Sequence, residues 1–194
     1  MRPLLAFASL LLLPLGVGAQ TAAVIAPAEN LVVDGLPPIP AKLAADVRRY
    51  TESRSASLSD WHPVRRELLI STRFGNTPQI HRVATPLGAR TQLTFFDEPI
   101  GGASYEPTQG RYFLFSRDIG GNEFGQLYRY DVANGAVTLL TDGGRSQNGG
   151  VRWSTRGDRI AYASTRRNGS DRDIYIMDPL NPASGKQLLE VKGG

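Results

Sequence analysis

The chain has 194 residues, with 22 Lys plus Arg against 18 Asp plus Glu, 21 glycines, 13 prolines and no cysteine. The missing cysteine excludes disulfides, thiolate metal sites and a cysteine nucleophile, and a content of 41% hydrophobic and 21% charged residues excludes a disordered acidic tail and a multi-span membrane protein. The net charge of +4 comes from scattered arginines rather than a basic stripe, which argues against a nucleic-acid partner.

Met1 to Gln20 reads MRPLLAFASLLLLPLGVGAQ: a basic start at Arg2, an apolar run from Leu4, then Gly16, Gly18 and Ala19. This is the pattern of a secretory signal peptide, with Val17 and Ala19 as the small residues before a cut after Ala19. As a helix, Leu4 to Val17 would span roughly 21 Å, short of the ~30 Å hydrocarbon core, so no membrane anchor is expected after cleavage. A lipid anchor is excluded because no cysteine is present to be acylated. The expected location is the periplasm or the exterior.

Residues 20–56 form a lead-in. Leu36-Pro37-Pro38-Ile39-Pro40 favours extended polyproline conformation. Ala41 to Thr51 carries Leu43, Val47 and Tyr50 on one face of a short helix, whose plain reading is packing against the body that follows.

From Ser57 the pattern becomes strand-like and repeats. WHPVRRELLISTR (Trp61 to Arg73), YEPTQGRYFLFSR (Tyr105 to Arg117) and WSTRGDRIAYAST (Trp153 to Thr165) align without gaps, their leading aromatics 44 and then 48 residues apart. Each copy runs aromatic, polar turn, apolar strand, and is followed by a second strand (Gln79 to Val83, Gln126 to Tyr130, Asp173 to Met177) and a third (Thr91 to Thr94, Val137 to Leu140, Lys186 to Leu189). Repeats of about 40 to 50 residues made of short antiparallel strands indicate a β-propeller with one four-stranded blade per repeat. The fold class is therefore all-β, a partial propeller of about three blades (57–96, 97–141 and 142–190) after the leader and the helix.

The turns fit that reading. Asn134-Gly135 supplies positive φ for a tight hairpin, and Gln109-Gly110 and Arg156-Gly157 serve the turn after the aromatic. Gly101-Gly102 and Gly149-Gly150 are expected to precede the innermost strand, where backbones crowd toward the channel. A ring needs four to eight blades, so three predict either the front of a longer protein or one arc of an assembly.

Trp153-Ser154-Thr155-Arg156-Gly157-Asp158-Arg159-Ile160-Ala161-Tyr162-Ala163-Ser164, followed by Asp173-Ile174-Tyr175-Ile176-Met177-Asp178, resembles the TolB-like propeller repeat, W-S-x-D-G-x-x-I-A-Y-x-S and then D-I-Y-x-x-D. Thr155-Arg156-Gly157-Asp158 departs from its usual Pro-Asp-Gly turn. Such repeats occur in periplasmic propellers and in the N-terminal propellers of prolyl oligopeptidase family serine peptidases. The order of segments looks more like the peptidases: leader, Pro-Pro-Ile-Pro, Asp60-Trp61-His62-Pro63, Ser71 to Asn76 and Gly120 to Phe124. The resemblance implies a propeller that gates and positions peptide substrates for a C-terminal α/β-hydrolase domain holding the Ser, Asp and His. The alternative is a non-catalytic periplasmic TolB-like module that binds a partner protein.

No catalytic residue carries over to this chain. A nucleophile elbow needs Gly-x-Ser-x-Gly, and Gly144-Arg145-Ser146-Gln147-Asn148 lacks the second glycine, so Ser146 reads as a turn residue. His62 and His81 lack the context of a triad or a metal site and read as structural. Asn168 to Asp173 resembles a calcium loop only faintly, without the later glutamate, and reads as a hairpin loop. No cofactor or metal is expected. The polar loop Arg117 to Phe124 (RDIGGNEF) has counterparts in the other copies and lies where propellers make ligand or domain contacts. Arg73, Arg117 and Glu123 are the candidate contacts for peptide termini or a hydrolase domain, with blade-to-blade ion pairs as the competing role.

Overall fold

A computed structural model describes residues 23–193; the expected leader and its cut after Ala19 lie outside the described residues. The chain divides into two compact units at Ser53/Arg54. In the first, Val24 bridges Pro40, and the Ile25 and Ala41 N–H groups donate to Ile39 and Ala23 carbonyls, closing an apolar, proline-rich loop. Helix α1 (Ala41–Thr51) follows, started by Pro40 with φ −61° and ψ 132°. Surface pairs Lys42–Asp46 and Arg48–Glu52 support it at i,i+4 spacing. No residue of α1 is buried, and Leu43, Val47 and Tyr50 are all exposed.

The second unit consists of three four-stranded antiparallel sheets in simple meander order. Blade 1 holds β1 (Ala56–Trp61), β2 (Leu68–Thr72), β3 (Gln79–Val83) and β4 (Arg90–Gln92). Blade 2 holds β5 (Ala103–Tyr105), β6 (Tyr112–Arg117), β7 (Gln126–Asp131) and β8 (Val137–Leu139). Blade 3 holds β9 (Asn148–Trp153), β10 (Ile160–Ser164), β11 (Asp173–Asp178) and β12 (Asn181–Leu189). The architecture is that of a partial propeller: each sheet turns its faces toward its neighbours, and two cores lie between them.

The core between blades 1 and 2 is built from Leu69, Ile80, Ile100, Tyr105, Phe113, Phe115 and Tyr128. Between blades 2 and 3 it is built from Tyr112, Leu114, Leu127, Leu140, Ile160, Tyr162, Tyr175 and Met177. Side chains alternate across a strand, so Phe113 and Phe115 of β6 enter the first core while Tyr112 and Leu114 enter the second. Burial on both faces is why β6 reads Tyr-Phe-Leu-Phe without polar alternation. Ring stacking reinforces each sheet: Phe115 on Tyr128 and Tyr162 on Tyr175 at centroid distances of 5.4 and 5.7 Å.

Strand pairing corrects the gap-free alignment. Trp61 lies opposite Leu68 and Trp153 opposite Ile160, but Tyr105 lies opposite Phe113. The turn of blade 2 is one residue longer, so Phe113, not Tyr112, corresponds to Leu68 and Ile160. A slip of one residue exchanges the faces of a strand, and the extra turn residue is what keeps Phe113 and Phe115 toward the preceding blade, as Ile160 and Tyr162 are. Glu67, Tyr112 and Arg159 then share one place, each accepting the N–H that follows the leading aromatic's own position: His62, Glu106 and Ser154 respectively. That place receives the leading aromatic of the next blade. The Tyr105 hydroxyl donates to Glu67 Oε1 (3.1 Å), and Trp153 packs on Tyr112 with centroids 6.0 Å apart.

The turn glycines behave as the sequence suggests, for an additional reason. Gly110 and Gly157 have φ +62° and +71°, and each touches the preceding blade. A Cβ on Gly110 would lie 2.5 Å from His62 Nε2, and one on Gly157 would lie 2.9 Å from Thr108 Cγ2. The other glycine expectations need correction. Gly149-Gly150 lie inside β9, not before it, and a Cβ at Gly101, Gly102, Gly149 or Gly150 would meet nothing within 4 Å. Crowding is absent there; Gly150 is needed because its φ of +64° sits at the bulge where β9 slips against β10. In the β7–β8 hairpin only Gly135 has positive φ. Residues 132–135 form a longer loop, closed by Gly135 N–H on the Asp131 carbonyl and Ala136 N–H on Asn134 Oδ1.

Gly157→Ala and Gly150→Ala separate close approach from backbone conformation. Both force a Cβ into the left-handed region, worth about 1–2 kcal/mol, but only Gly157→Ala also drives a methyl into Thr108, so its total should reach roughly 2–4 kcal/mol. Urea unfolding of the two variants measures the difference, and equal losses would contradict the packing role of Gly157.

Candidate functional site

The loops β2–β3 (73–78), β6–β7 (118–125) and β10–β11 (165–172) emerge at one end of the blades, beside the connectors that carry the chain to the next sheet. A buried polar residue at the start of each third strand fixes that connector. The Gln79 amide donates to the carbonyls of Phe96 and Glu98 and accepts Phe96 N–H. The Gln126 amide donates to the carbonyls of Gly144 and Ser146 and accepts Gly143 N–H. In blade 3 a carboxylate and a guanidinium divide the same work: Asp173 accepts Val191 N–H, while Arg167 binds Asp173 at 2.6 Å and donates to the Val191 carbonyl. The Arg167 contact holds the Asp173 carboxyl below its ordinary range.

Arg117 is engaged inside the unit. It pairs with Glu98 at 2.9 Å, and its guanidinium lies 4.3 Å from the Phe96 ring and 4.9 Å from the Tyr128 ring. Gly120 N–H donates to the other Glu98 oxygen, and this bond, with the arginine, lowers the Glu98 carboxyl from its ordinary value. Glu123 sits at the tip of the same loop with φ +64°, its N–H donating to Asp118 Oδ2. Arg73 is half-buried at the start of the β2–β3 loop. Among the described residues, neither Arg73 nor Glu123 makes an ion pair, and nothing joins the three side chains to one another.

The other candidates are dispersed. Ser146 Oγ donates to Asp142 Oδ1 and accepts from Asn148 Nδ2 in the connector leading to blade 3, whereas both histidines belong to blade 1. His81 lies fully buried opposite Ile70, in the place of Tyr128 and Tyr175, with Nδ1 on the Gln79 carbonyl and its ring edge-on to Phe74. Desolvation lowers its pKa from 6.5. Asp171 and Asp173 are neutralised by Arg167, and among the described residues no group of three His, Cys, Asp or Glu is placed to hold a metal ion.

Two features escaped the sequence reading. Trp153 Nε1–H donates to Ser104 Oγ, which donates to Asp60 Oδ2, while Tyr105 N–H donates to the same carboxylate at 2.8 Å. One residue from each innermost strand thus joins a chain of hydrogen bonds across all three blades. The connector staples were the second; Gln followed by an aliphatic residue in the first two copies was their available signal. Between the inner strands of blades 2 and 3 lies a recess of about 210 Å³ lined by Gly102, Ser104, Phe115, Gly149 and Val151. A second recess of about 400 Å³ on blade 3 is lined by charges of both signs, Asp158, Arg159, Asp178 and Lys186.

Three meandering antiparallel sheets packed face to face define a β-propeller module, and its fold is TolB-like. Among solved structures, the chain is similar to a TolB candidate from Agrobacterium tumefaciens (TM-score 0.58, 19% identity, 81% of this chain on 54% of that one). It is also similar to TolB from Acinetobacter baumannii (TM-score 0.52, 25% identity, 72% of this chain on 33% of that one). A structure from a study of two prolyl endopeptidases matches with TM-score 0.55 and 15% identity, over 71% of this chain and 22% of that one. The chain thus spans about half of the first of these proteins and a third of the second. No family model and no curated protein sequence matches it. Among the described residues no helix is long and apolar enough to cross a membrane.

Two measurements check this site. Arg73→Ala, which breaks no ion pair among the described residues, should cost clearly less in urea titrations than Arg117→Ala, which removes the Glu98 pair and the stacking on Phe96 and Tyr128. At the seat of Tyr105, the Arg65 and Tyr105 hydrogen bonds lower the Glu67 carboxyl from 4.5 against the opposing effect of burial. A depressed carboxyl stabilises the fold above its unfolded value and loses that contribution as pH falls through the folded value. Glu67→Gln should therefore flatten the decline of unfolding free energy below about pH 4.5.

Proposed function

We propose that the chain is the N-terminal propeller portion of an exported serine peptidase resembling prolyl oligopeptidases. In this reading the leader is removed after Ala19 and the protein works in the periplasm or outside the cell. The propeller gates and positions peptide substrates for a C-terminal α/β-hydrolase domain of the same protein. The observation that carries the reading is the prolyl endopeptidase match, in which most of this chain aligns with under a quarter of a much longer enzyme. The dispersion of Ser146, His62 and His81 supports it, since the catalytic groups then belong to the other domain. Arg73 and Glu123, whose side chains lack ion-pair partners among the described residues, are the contacts assigned to peptide termini or the hydrolase domain; Arg117 stiffens the loop that carries Glu123.

A second reading is favoured by the 25% identity to Acinetobacter baumannii TolB: a non-catalytic module that binds a partner protein at the channel mouth. A fluorophosphonate probe applied to the full-length gene product decides between them. Covalent labelling at a serine outside residues 1–194 is the expected result, and a folded full-length product that takes no label overturns the peptidase reading in favour of the binding module.

A further inference from the structure

His62 follows the leading aromatic of blade 1 and is only 5% exposed. Its Nδ1 accepts two backbone hydrogen bonds, from Val64 N–H (3.1 Å) and Arg65 N–H (3.0 Å), so in the neutral ring the proton resides on Nε2. That nitrogen is buried without a partner and lies against Gly110 of blade 2, at a spot where no side-chain carbon fits. The ring also meets Tyr105 of blade 2 edge-on at 4.8 Å. A single imidazole therefore organises the 62–67 turn of blade 1 and fills the slot in the turn of blade 2.

We propose that His62 is an acid-released latch between blades 1 and 2. A protonated ring carries N–H at both nitrogens. Its Nδ1–H would face two backbone donors, and Nε2–H would remain buried beside Gly110 with a full charge. The imidazolium must then leave the slot, freeing the Val64 and Arg65 amides and withdrawing the ring from Tyr105. The charged and titratable groups around it are Arg65 and Glu67 of its own turn and Tyr105 and Glu106 of blade 2. The two carboxylates are already committed: Glu67 to Arg65 and the Tyr105 hydroxyl, and Glu106 to Thr108, Gln109 and Gly110. Neither is free to receive the new charge where the ring stands. Desolvation, followed by the Arg65 charge, lowers the His62 pKa from 6.5 and outweighs Glu67, the Gly110 backbone and Glu106, which favour the charged ring. A lowered histidine favours the closed state above its free pKa and loses that contribution as pH falls toward the folded value.

Amide hydrogen exchange of the chain, corrected for intrinsic rates, reads the latch at its own bonds. Opening at Val64 and Arg65 should increase by up to about tenfold per pH unit below about pH 6.5. His62→Asn keeps a non-titrating acceptor for the same amides through an Asx turn, and its exchange at these positions should be flat over that range. Protection independent of pH between about 7.5 and 5 in the wild type, or the same rise in His62→Asn, overturns the latch. If His62→Asn does not fold, NMR titration of the His62 ring in the wild type decides: a midpoint below 6.5 that tracks the amide opening is expected, and one at or above 6.5 overturns it. His81, whose ring bonds Gln79 in β3 and whose pKa is lowered in the same direction, is retained in His62→Asn, so any opening it causes appears in both proteins and only the difference between them reads the latch.

Discussion

Every other feature of the propeller unit depends on sheets packing face to face through apolar side chains. A sheet in the middle of such a stack has no polar side, so its strands must be apolar at consecutive positions and its edges must be managed by turns and connectors. Blade 2 meets this demand with Tyr112 to Phe115, divided between two cores. Burying a large apolar side chain is worth about 1.5–3 kcal/mol, so two faces of such residues supply the drive for stacking. That drive has no direction of its own; polar groups set the angle and spacing. Glu67, Tyr112 and Arg159 mark the seat for a following aromatic, Gly110 and Gly157 let turns approach the preceding blade, and Asp60, Ser104 and Trp153 align the inner strands.

The connectors show how one geometric task is met by different chemistry. Gln79 and Gln126 each offer a donor and an acceptor to a passing backbone, which a single amide does without charge. In blade 3 the acceptor is Asp173 and the donor is Arg167. Burying that carboxylate is tolerable only because the guanidinium pairs with it, and the arginine also gathers Asp171 and Glu190. The loop that resembles a calcium site is in this way an ion-pair knot, its acidity spent on an internal cation.

Much of the architecture was legible because it is periodic. Three leading aromatics, short β-branched and aromatic runs and the turn glycines after Tyr105 and Trp153 were enough to indicate three antiparallel sheets, since period-two burial and tight turns leave strong marks on composition. Pairing across space left weaker marks. Ser104 is unremarkable in sequence, and its importance lies in Asp60 and Trp153, 44 and 49 residues away. Arg117 is visible as a charge in a polar loop, but its partner Glu98 belongs to a different connector. Gly149-Gly150 suggested crowding, whereas Gly150 serves a bulge that depends on the register against β10. The positions of Arg73 and Glu123 follow from the repeat; what they meet is not encoded in it.

The extra residue in the turn of blade 2 bears on how such chains diverge. An insertion within a strand would exchange core and outer faces along its remaining length and be lost at once. Placed between Tyr105 and Phe113, it is absorbed where backbone is already irregular, and Gly110 reaches His62 as Gly157 reaches Thr108. Turns of this kind act as buffers for length drift after duplication, so repeats can lose their mutual sequence likeness while preserving which atoms meet. Comparison of blades by strand partners will recognise kinship that comparison by residue spacing misreads.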